Sequence, residues 1–138
     1  MECEPILKAF GFLKKAGFKE VIKVPNGFCY VRYDYKSIYL DMGTDYREKT
    51  DYFSMTLLTG EIKEYLKIGV IPEVKNIYEF DIGSLKDREM LKSLENTNEN
   101  YKNVLETYTE FLKKNLTELL ELCMVLDKSN KCNKKGWH

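Results

Sequence analysis

The sequence predicts an α+β fold. An N-terminal helix, an antiparallel β-meander of about four strands and a short helix precede long C-terminal helices packed on one sheet face. Two patterns predict this arrangement: apolar residues recur at helical spacing near both ends of the chain, and they alternate with polar residues between residues 18 and 58. A length of 138 residues suits one domain. We expect that domain to span residues 1–127, with a basic, flexible tail at residues 128–138.

The first predicted helix covers residues 4–16. Glu4 lies where a negative charge favours the helix dipole, and Pro5 suits the first helical turn. Gly11 lies within this helix, whereas Gly17 is typical of a helix end because glycine readily takes the left-handed conformation. The apolar face of this helix contains Ile6, Leu7, Phe10 and Leu13. That spacing predicts a buried face.

Four segments alternate apolar and polar residues with the period of two that strands require. They are residues 18–24, 28–35, 37–42 and 52–58. The phase that we expect to face the core contains Phe18, Glu20, Ile22, Val24, Cys29, Val31, Tyr33, Tyr35, Ile38, Leu40, Met42, Phe53, Met55 and Leu57. The Asn-Gly pair at 26–27 predicts a hairpin turn, and residues 43–51 are predicted to form a polar loop.

The segment after the meander is less regular. Residues 60–69 have the apolar spacing of a short helix that ends at Gly69, and Pro72 prevents its continuation. Residues 73–83 fit neither the helical nor the strand period well. We expect helix or irregular structure there rather than a fifth strand.

Two further helices are predicted towards the C-terminus. Ser84 with Asp87 three residues later forms a variant of the capping box, and the weak helix formers at 96–100 predict a break. The strongest pattern is an apolar face over residues 101–127, which predicts one long helix. Asn115 lies on that face, where we expect a core asparagine bonded to backbone. The face is wide enough that a homodimer through this helix stays an open alternative.

The composition argues against several classes of partner. The 22 basic and 22 acidic residues cancel, so no global charge attracts nucleic acid or an anionic membrane. We expect neither as a partner, and the acidic N-terminus lacks the pattern of a secretory signal, which favours a cytoplasmic location. The cysteines, which have no CxxC spacing and are predicted to be free thiols, are Cys3, Cys29, Cys123 and Cys132.

The usual catalytic residues are scarce. His138 is the only histidine and lies at the end of the sequence, so the sequence predicts neither a catalytic triad nor a zinc site. The glycine-rich phosphate-binding motifs are also missing. We therefore predict no catalytic residue, no metal and no cofactor. The alternative is a carboxylate site for Mg²⁺ or Ca²⁺ around Asp41 and Asp45, with Gly43 in a tight turn.

Tyrosines, aspartates and one arginine lie on the outward phase of the strands or in the loop that follows them. The candidate binding residues are Tyr30, Arg32, Asp34, Tyr39, Asp41, Asp45, Tyr46 and Tyr52. Tyrosine and arginine are common in protein–protein hot spots, and aromatic residues with arginine also stack single-stranded bases. The neutral net charge favours a protein partner. Ordinary cross-strand pairs explain the same residues equally well.

Five segments carry a resemblance to a known class of proteins. They are the helix closed by "LKKAGF", the meander "YVRYDYKSIYLDMG", the polar loop after it, the strand "YFSMTLLTGE" leading into a helix, and the long C-terminal helix. This layout resembles small bacterial immunity proteins of contact-dependent and other polymorphic toxin systems, mainly over residues 6–70. The resemblance implies a non-enzymatic cytoplasmic protein that binds a cognate toxin domain and blocks or distorts its active site. It transfers no functional residue, because no shared motif fixes positions.

Two other hypotheses stay open. One is a secretion-chaperone-like dimer, which would hold an effector domain with its sheet and long helices. The other is a small enzyme or ligand-binding protein that uses the carboxylate site around Asp41 and Asp45.

Overall fold

The computed structural model describes residues 3–23, 29–44, 52–58 and 74–135, and it describes side chains as far as residue 128. The fold is α+β, as the sequence predicts. Its elements are α1 (Glu4–Phe10), α2 (Phe12–Lys15), β1 (Lys19–Lys23), β2 (Tyr30–Tyr35), β3 (Ile38–Thr44), β4 (Phe53–Leu58), β5 (Val74–Asn76), a 3₁₀ turn (Ile77–Glu79), α3 (Leu85–Ser93), α4 (Tyr101–Lys114) and α5 (Leu116–Lys135). None of the helices in these ranges combines the length and the apolar composition of a membrane span.

The five strands form one antiparallel sheet in which neighbours in sequence are neighbours in space, in the order β1-β2-β3-β4-β5. The predicted inward phase of the three central strands is confirmed. Its buried members are Val31, Tyr33, Ile38, Leu40, Met42, Phe53, Met55 and Leu57. Alternation decides this burial, because successive side chains of a strand point to opposite sheet faces.

The helices pack on the inner face of the sheet. Phe53 of β4 joins the two layers: its ring lies 6.0 Å from the Phe10 ring of α1 and 5.2 Å from the Tyr108 ring of α4. The main helical contributors to the core are Ile6, Phe10, Leu13, Val104, Leu105, Tyr108, Phe111, Leu112, Leu119 and Cys123. The start of β4 is held further by Asn96, whose side-chain amide accepts from the Phe53 N–H (2.9 Å) and donates to the Phe53 carbonyl (2.6 Å).

The prediction of helix or irregular structure for residues 73–83 was wrong at Val74–Asn76, whereas a 3₁₀ turn and irregular structure follow from Ile77 to Gly83. Val74–Asn76 forms β5, which pairs with the end of β4 from Thr56 to Leu58. A three-residue strand has too short a pattern to show a period, and its pairing with β4 decides its conformation. Glu79 and Asn76 then close a capping box that begins the 3₁₀ turn.

The predicted polar loop begins later than expected. Gly43 and Thr44 belong to β3, and Thr44 is 2% exposed. Pairing with Ser54 and Phe53 extends the strand to these residues. The rest of the predicted loop, the predicted turn at residues 26–27 and the predicted short helix at 60–69 lie outside the described residues.

Both predicted uninterrupted helices contain a break. Gly11 separates α1 from α2, and Asn115 separates α4 from α5. Asn115 is buried, and both its N–H and its side-chain amide donate to the Phe111 carbonyl. These contacts confirm the prediction of a core asparagine bonded to backbone. Gly83 packs against it so closely that an added Cβ would lie 2.7 Å from Asn115 Nδ2.

The other helix ends agree with the sequence in part. Ser84 Oγ accepts from the Asp87 N–H at 3.1 Å, which confirms the predicted cap of α3, and α3 ends at Ser93 just before the predicted break. The last helix, α5, continues past the boundary predicted at residue 127 and reaches Lys135. The first part of the predicted flexible tail is therefore helical.

The prediction of free thiols was wrong for two cysteines. Cys3, at the start of α1, and Cys29, just before β2, form a disulfide with Cα atoms 5.2 Å apart. Their sequence separation of 26 gives no local signal, and only the packing of α1 beside the sheet brings them together. Cys123 is a free, buried thiol, and burial raises its pKa to about 12. The side chain of Cys132 lies outside the described part.

Candidate binding surface on the sheet

Five of the eight predicted binding residues lie together on the outer face of the sheet, which is the face opposite the helices. We call them the outer-face cluster: Tyr30, Arg32 and Asp34 of β2 with Tyr39 and Asp41 of β3. Two cross-strand pairs connect the strands, because Arg32 lies opposite Asp41 and Asp34 lies opposite Tyr39. All five side chains are half-buried.

Arg32 is held at the centre of the outer-face cluster. Its Nε donates to Asp34 Oδ1 at 2.6 Å and its Nη2 donates to Asp34 Oδ2 at 3.0 Å, while its guanidinium carbon lies 4.8 Å from the centroid of the Tyr39 ring. Only 20% of the Arg32 side chain and 17% of the Asp34 side chain are exposed. A two-point ion pair and a cation–π contact therefore fix the planar guanidinium in one orientation.

Asp41 differs from Asp34 because no described residue donates a hydrogen bond to it. Burial raises the pKa of Asp41 above its ordinary value of 3.8, and the Asp34 charge acts in the same direction. The positive charges of Lys23 and Arg32 lower the pKa but do not cancel the effect of burial. A half-buried carboxylate without a donor is well placed to accept one from a partner molecule.

Tyr30 and Gly43 form a cross-strand pair at the other end of the outer-face cluster. The Tyr30 ring lies directly over Gly43, where an added Cβ would be 2.7 Å from Tyr30 Cδ1 and 2.5 Å from the Cys29 carbonyl oxygen. The sequence hypothesis placed Gly43 in a metal-binding turn. In the structure its missing side chain instead provides the space in which the Tyr30 ring packs on β3.

Of the other three predicted residues, the structure describes Tyr52, which does not join the outer-face cluster. Tyr52 precedes β4, its N–H donates to the Asn96 carbonyl at 3.2 Å, and its ring packs edge-on against Tyr101 of α4 with centroids 4.9 Å apart. Tyr52 therefore lies where the sheet meets the helices. Asp45 and Tyr46 lie outside the described residues.

Two lysines of β1 border the outer-face cluster and were not among the candidates. Lys19 lies opposite Asp34, and Lys23 lies opposite Tyr30. The alternation of "KEVIK" indicates the face of both residues, because it places them in phase with Val21. What the sequence pattern did not indicate is that β1 would pair with β2 in this register.

A cleft beside the start of β4 and α3 has a free volume of about 20 Å³, which accommodates roughly one water molecule. Its lining residues are Phe53, Asn76, Tyr78, Leu91, Lys92, Leu94, Asn96 and Tyr108. Within the described ranges, no group of three His, Cys, Asp or Glu side chains converges as metal ligands would.

Comparisons with known proteins returned nothing similar: no protein-family model, no curated protein and no solved structure matches this chain.

Proposed function

We propose that this chain is a non-enzymatic protein-binding module of the immunity type, which binds a cognate toxin domain and neutralises it. The observation that carries the proposal is the fixed orientation of Arg32 between Asp34 and the Tyr39 ring. Arginine and tyrosine are the side chains that most often dominate protein–protein binding. A side chain already held in one orientation loses less conformational entropy when a partner binds.

The charges of the outer-face cluster suit a protein partner better than nucleic acid. Arg32 is already paired with Asp34, and Asp41 adds a second negative charge beside it. A phosphate backbone would meet two carboxylates there, whereas a protein surface can present a lysine or arginine to Asp41. This arrangement, together with a net charge of zero, favours a protein.

The proposed site of action is the cytoplasm, where an immunity protein would meet an imported toxin domain. The Cys3–Cys29 disulfide is the observation that argues against this location, because disulfides persist mainly in oxidising compartments. Blocking free thiols in intact cells before lysis, followed by mass spectrometry, measures the state of this pair directly. An oxidised pair in the native host would contradict a reducing cytoplasm as its location.

The proposal is tested by co-expressing the chain with a toxin domain encoded beside it in the native genome and measuring cell survival. We expect the unaltered chain to protect the cells. Arg32→Ala should weaken binding of the purified toxin domain by about 30-fold or more, as loss of a hot-spot residue does. The control is Lys102→Ala, which removes an exposed charge from α4 on the other side of the molecule.

Two outcomes would contradict the proposal. If Arg32→Ala and Lys102→Ala bind the toxin domain equally well, the outer-face cluster is not the binding surface. If the unaltered chain neither binds nor protects against any neighbouring gene product, the immunity function itself is wrong.

A second candidate function, the dimeric secretion-chaperone type, has one observation in its favour. Met124 and Val125 of α5 are 40% and 64% exposed, as an unpaired helix surface would be. Sedimentation analysis of the unaltered chain and of Val125→Glu tests it. A dimer that the substitution converts to a monomer favours this candidate, and a monomer at all concentrations excludes it.

A further inference from the structure

The first strand of the sheet, β1, has an open edge among the described residues. It pairs with β2 over its full length from Lys19 to Lys23, and no other described strand lies on its other side. Lys19, Ile22 and Lys23 are exposed, and Ile22 keeps 49% of its surface accessible. An open edge strand is a template on which a further strand can pair through backbone hydrogen bonds.

The register identifies the backbone groups on this edge. Tyr35 and Ile38 close the two-residue hairpin turn between β2 and β3, so that pair exchanges both of its hydrogen bonds. Because backbone groups alternate sides along a strand, the even-numbered residues of β2 bond to β1. The resulting bonded pairs are Lys19–Asp34, Val21–Arg32 and Lys23–Tyr30. The N–H and C=O groups of Glu20 and Ile22 therefore face outward.

The side chains along the edge have a distinct pattern. Lys19 and Lys23 flank Val21 on the outer face, two positions away on either side. Ile22 lies on the inner face, where the corresponding residues of the central strands are buried. If the charges of β1 served only to prevent pairing with other strands, we would expect no exposed isoleucine on the same edge.

We propose that β1 is a strand-addition site for an extended acidic segment of a partner protein. The segment places acidic residues opposite Lys19 and Lys23 and an apolar residue opposite Val21, which is an acidic-x-apolar-x-acidic pattern. A second apolar side chain covers Ile22 from the inner face. Backbone bonds to Glu20 and Ile22 supply the pairing, and the side chains supply the selectivity.

A second copy of this chain meets charge repulsion when it pairs with the same edge about Val21. Antiparallel pairing of two β1 strands about Val21 places Lys19 of each copy opposite Lys23 of the other. Like charges directly opposite each other destabilise a strand pair. The two lysines thus disfavour self-association and favour an acidic partner.

The strand-addition site rests on the proposed function only in needing a protein partner, because it uses β1 rather than Arg32. The two surfaces are adjacent, since Lys19 lies opposite Asp34 and Lys23 lies opposite Tyr30. An added strand would extend the sheet directly beside the outer-face cluster.

The test is a nuclear magnetic resonance titration of the ¹⁵N-labelled chain with a seven-residue peptide that has aspartates at its second and sixth positions and valine at its fourth. Apolar residues at its third and fifth positions place an apolar side chain opposite Ile22 in either strand direction. We expect the largest shift changes, and slowed hydrogen exchange, at the amides of Glu20 and Ile22. The same peptide with lysines in place of the aspartates should bind at least about tenfold more weakly. Equal binding of both peptides, no binding at millimolar peptide, or shifts confined to the outer-face cluster would overturn the proposal.

Two variants sharpen the test. The double variant Lys19→Glu/Lys23→Glu should bind the lysine peptide better than the aspartate peptide, which reverses the preference of the unaltered chain. The control Lys102→Glu/Lys128→Glu makes the same charge change at exposed helical sites and should still prefer the aspartate peptide. Ile22→Pro removes an outward N–H and keeps the bonds to β2, so it should abolish binding of both peptides. Unaltered preference in the double variant would refute the proposal even if Ile22→Pro does not fold.

Toxin binding and peptide binding, measured together, distinguish a failure of the strand-addition site from a failure of the proposed function. If Arg32→Ala loses the toxin domain but still binds the acidic peptide, the two sites are independent. If toxin binding depends on Arg32 and neither peptide binds, only the strand-addition proposal fails.

Discussion

Asp41 and Asp127 show two ways in which this fold treats a carboxylate that is removed from water. Asp127 of α5 is 2% exposed, and its Oδ1 accepts from both the N–H (3.0 Å) and the hydroxyl of Ser37 in the β2–β3 turn. Asp41 is half-buried on the outer face, and no described residue donates a hydrogen bond to it. The two residues belong to opposite sides of the same sheet.

Hydrogen bonding separates the structural from the functional carboxylates of this fold. A buried carboxylate whose bonds are satisfied joins elements of the fold, as Asp127 joins α5 to a hairpin turn 90 residues away in sequence. A partly buried carboxylate without a donor stabilises nothing by itself. Asp41 is therefore the better candidate for a contact with another molecule.

The largest effect is expected from removing the satisfied carboxylate. Asp127→Ala leaves the Ser37 N–H and hydroxyl without this acceptor, and we expect the free energy of unfolding to fall by about 3 kcal/mol in chemical denaturation. The control is Glu121→Ala, which removes an exposed carboxylate from the same helix and should change stability by less than about 0.5 kcal/mol. A loss below about 1 kcal/mol for Asp127→Ala would contradict the structural role.

An intermediate effect is expected on the outer face, at the position under Tyr30. Gly43→Ala places a methyl group 2.5 Å from the Cys29 carbonyl oxygen, so the strands must separate slightly and the Tyr30 ring must move. We expect a loss of about 2 kcal/mol in the same unfolding measurement. Replacing Tyr30 with alanine in the Gly43→Ala background should recover only part of the loss, because the backbone oxygen remains. Full recovery would show that Tyr30 alone causes the crowding.

The smallest change in stability is expected on replacing Asp41. Unlike the two substitutions above, this one should not lower the stability. Because the pKa of Asp41 is raised in the folded chain, the folded state binds the proton more tightly than the unfolded state does. The stability that this group contributes is therefore present below pH 3.8 and is lost as the pH rises through the raised pKa. Asp41→Asn removes this dependence. We expect the variant to be equal to the unaltered chain or more stable by up to about 0.5 kcal/mol at pH 7.

Unfolding measured from pH 3 to pH 7 checks the Asp41 prediction. The difference in stability between Asp41→Asn and the unaltered chain should grow in favour of the variant as pH rises above 3.8. A destabilised variant at pH 7 would mean that Asp41 makes a stabilising contact in the fold, and the contrast with Asp127 would then disappear.

Periodic positions were the most predictable part of this protein. The inward phase of the central strands follows from alternation alone, and the cap of α3 follows from Ser84 and Asp87. The outward phase correctly grouped Tyr30, Arg32 and Asp34 with Tyr39 and Asp41, because one period places all five on the same face. It also included Tyr52, whose position beside Tyr101 depends on α4 and not on any strand pattern.

Contacts between distant segments were not predictable from one sequence. The Cys3–Cys29 disulfide, the bond from Asp127 to the hairpin turn and the pairing of β5 with β4 each join residues without a local signature. The breaks at Gly11 and Asn115 were also missed. An apolar face continues in phase across a one-residue interruption, and Gly11 even keeps helical backbone angles (φ −58°, ψ −23°), so periodicity does not show the break.

The sequence by itself determined the α+β class, the face on which each central strand buries its apolar residues, and the residue types available on the outer face. These properties depend on the spacing of neighbouring residues, and spacing is visible in the chain. Only the tertiary structure decided which carboxylate is satisfied, which cysteines pair and which strand edge stays open among the described residues. Those properties depend on contacts between segments that lie far apart in sequence, and the chain must fold before such segments meet.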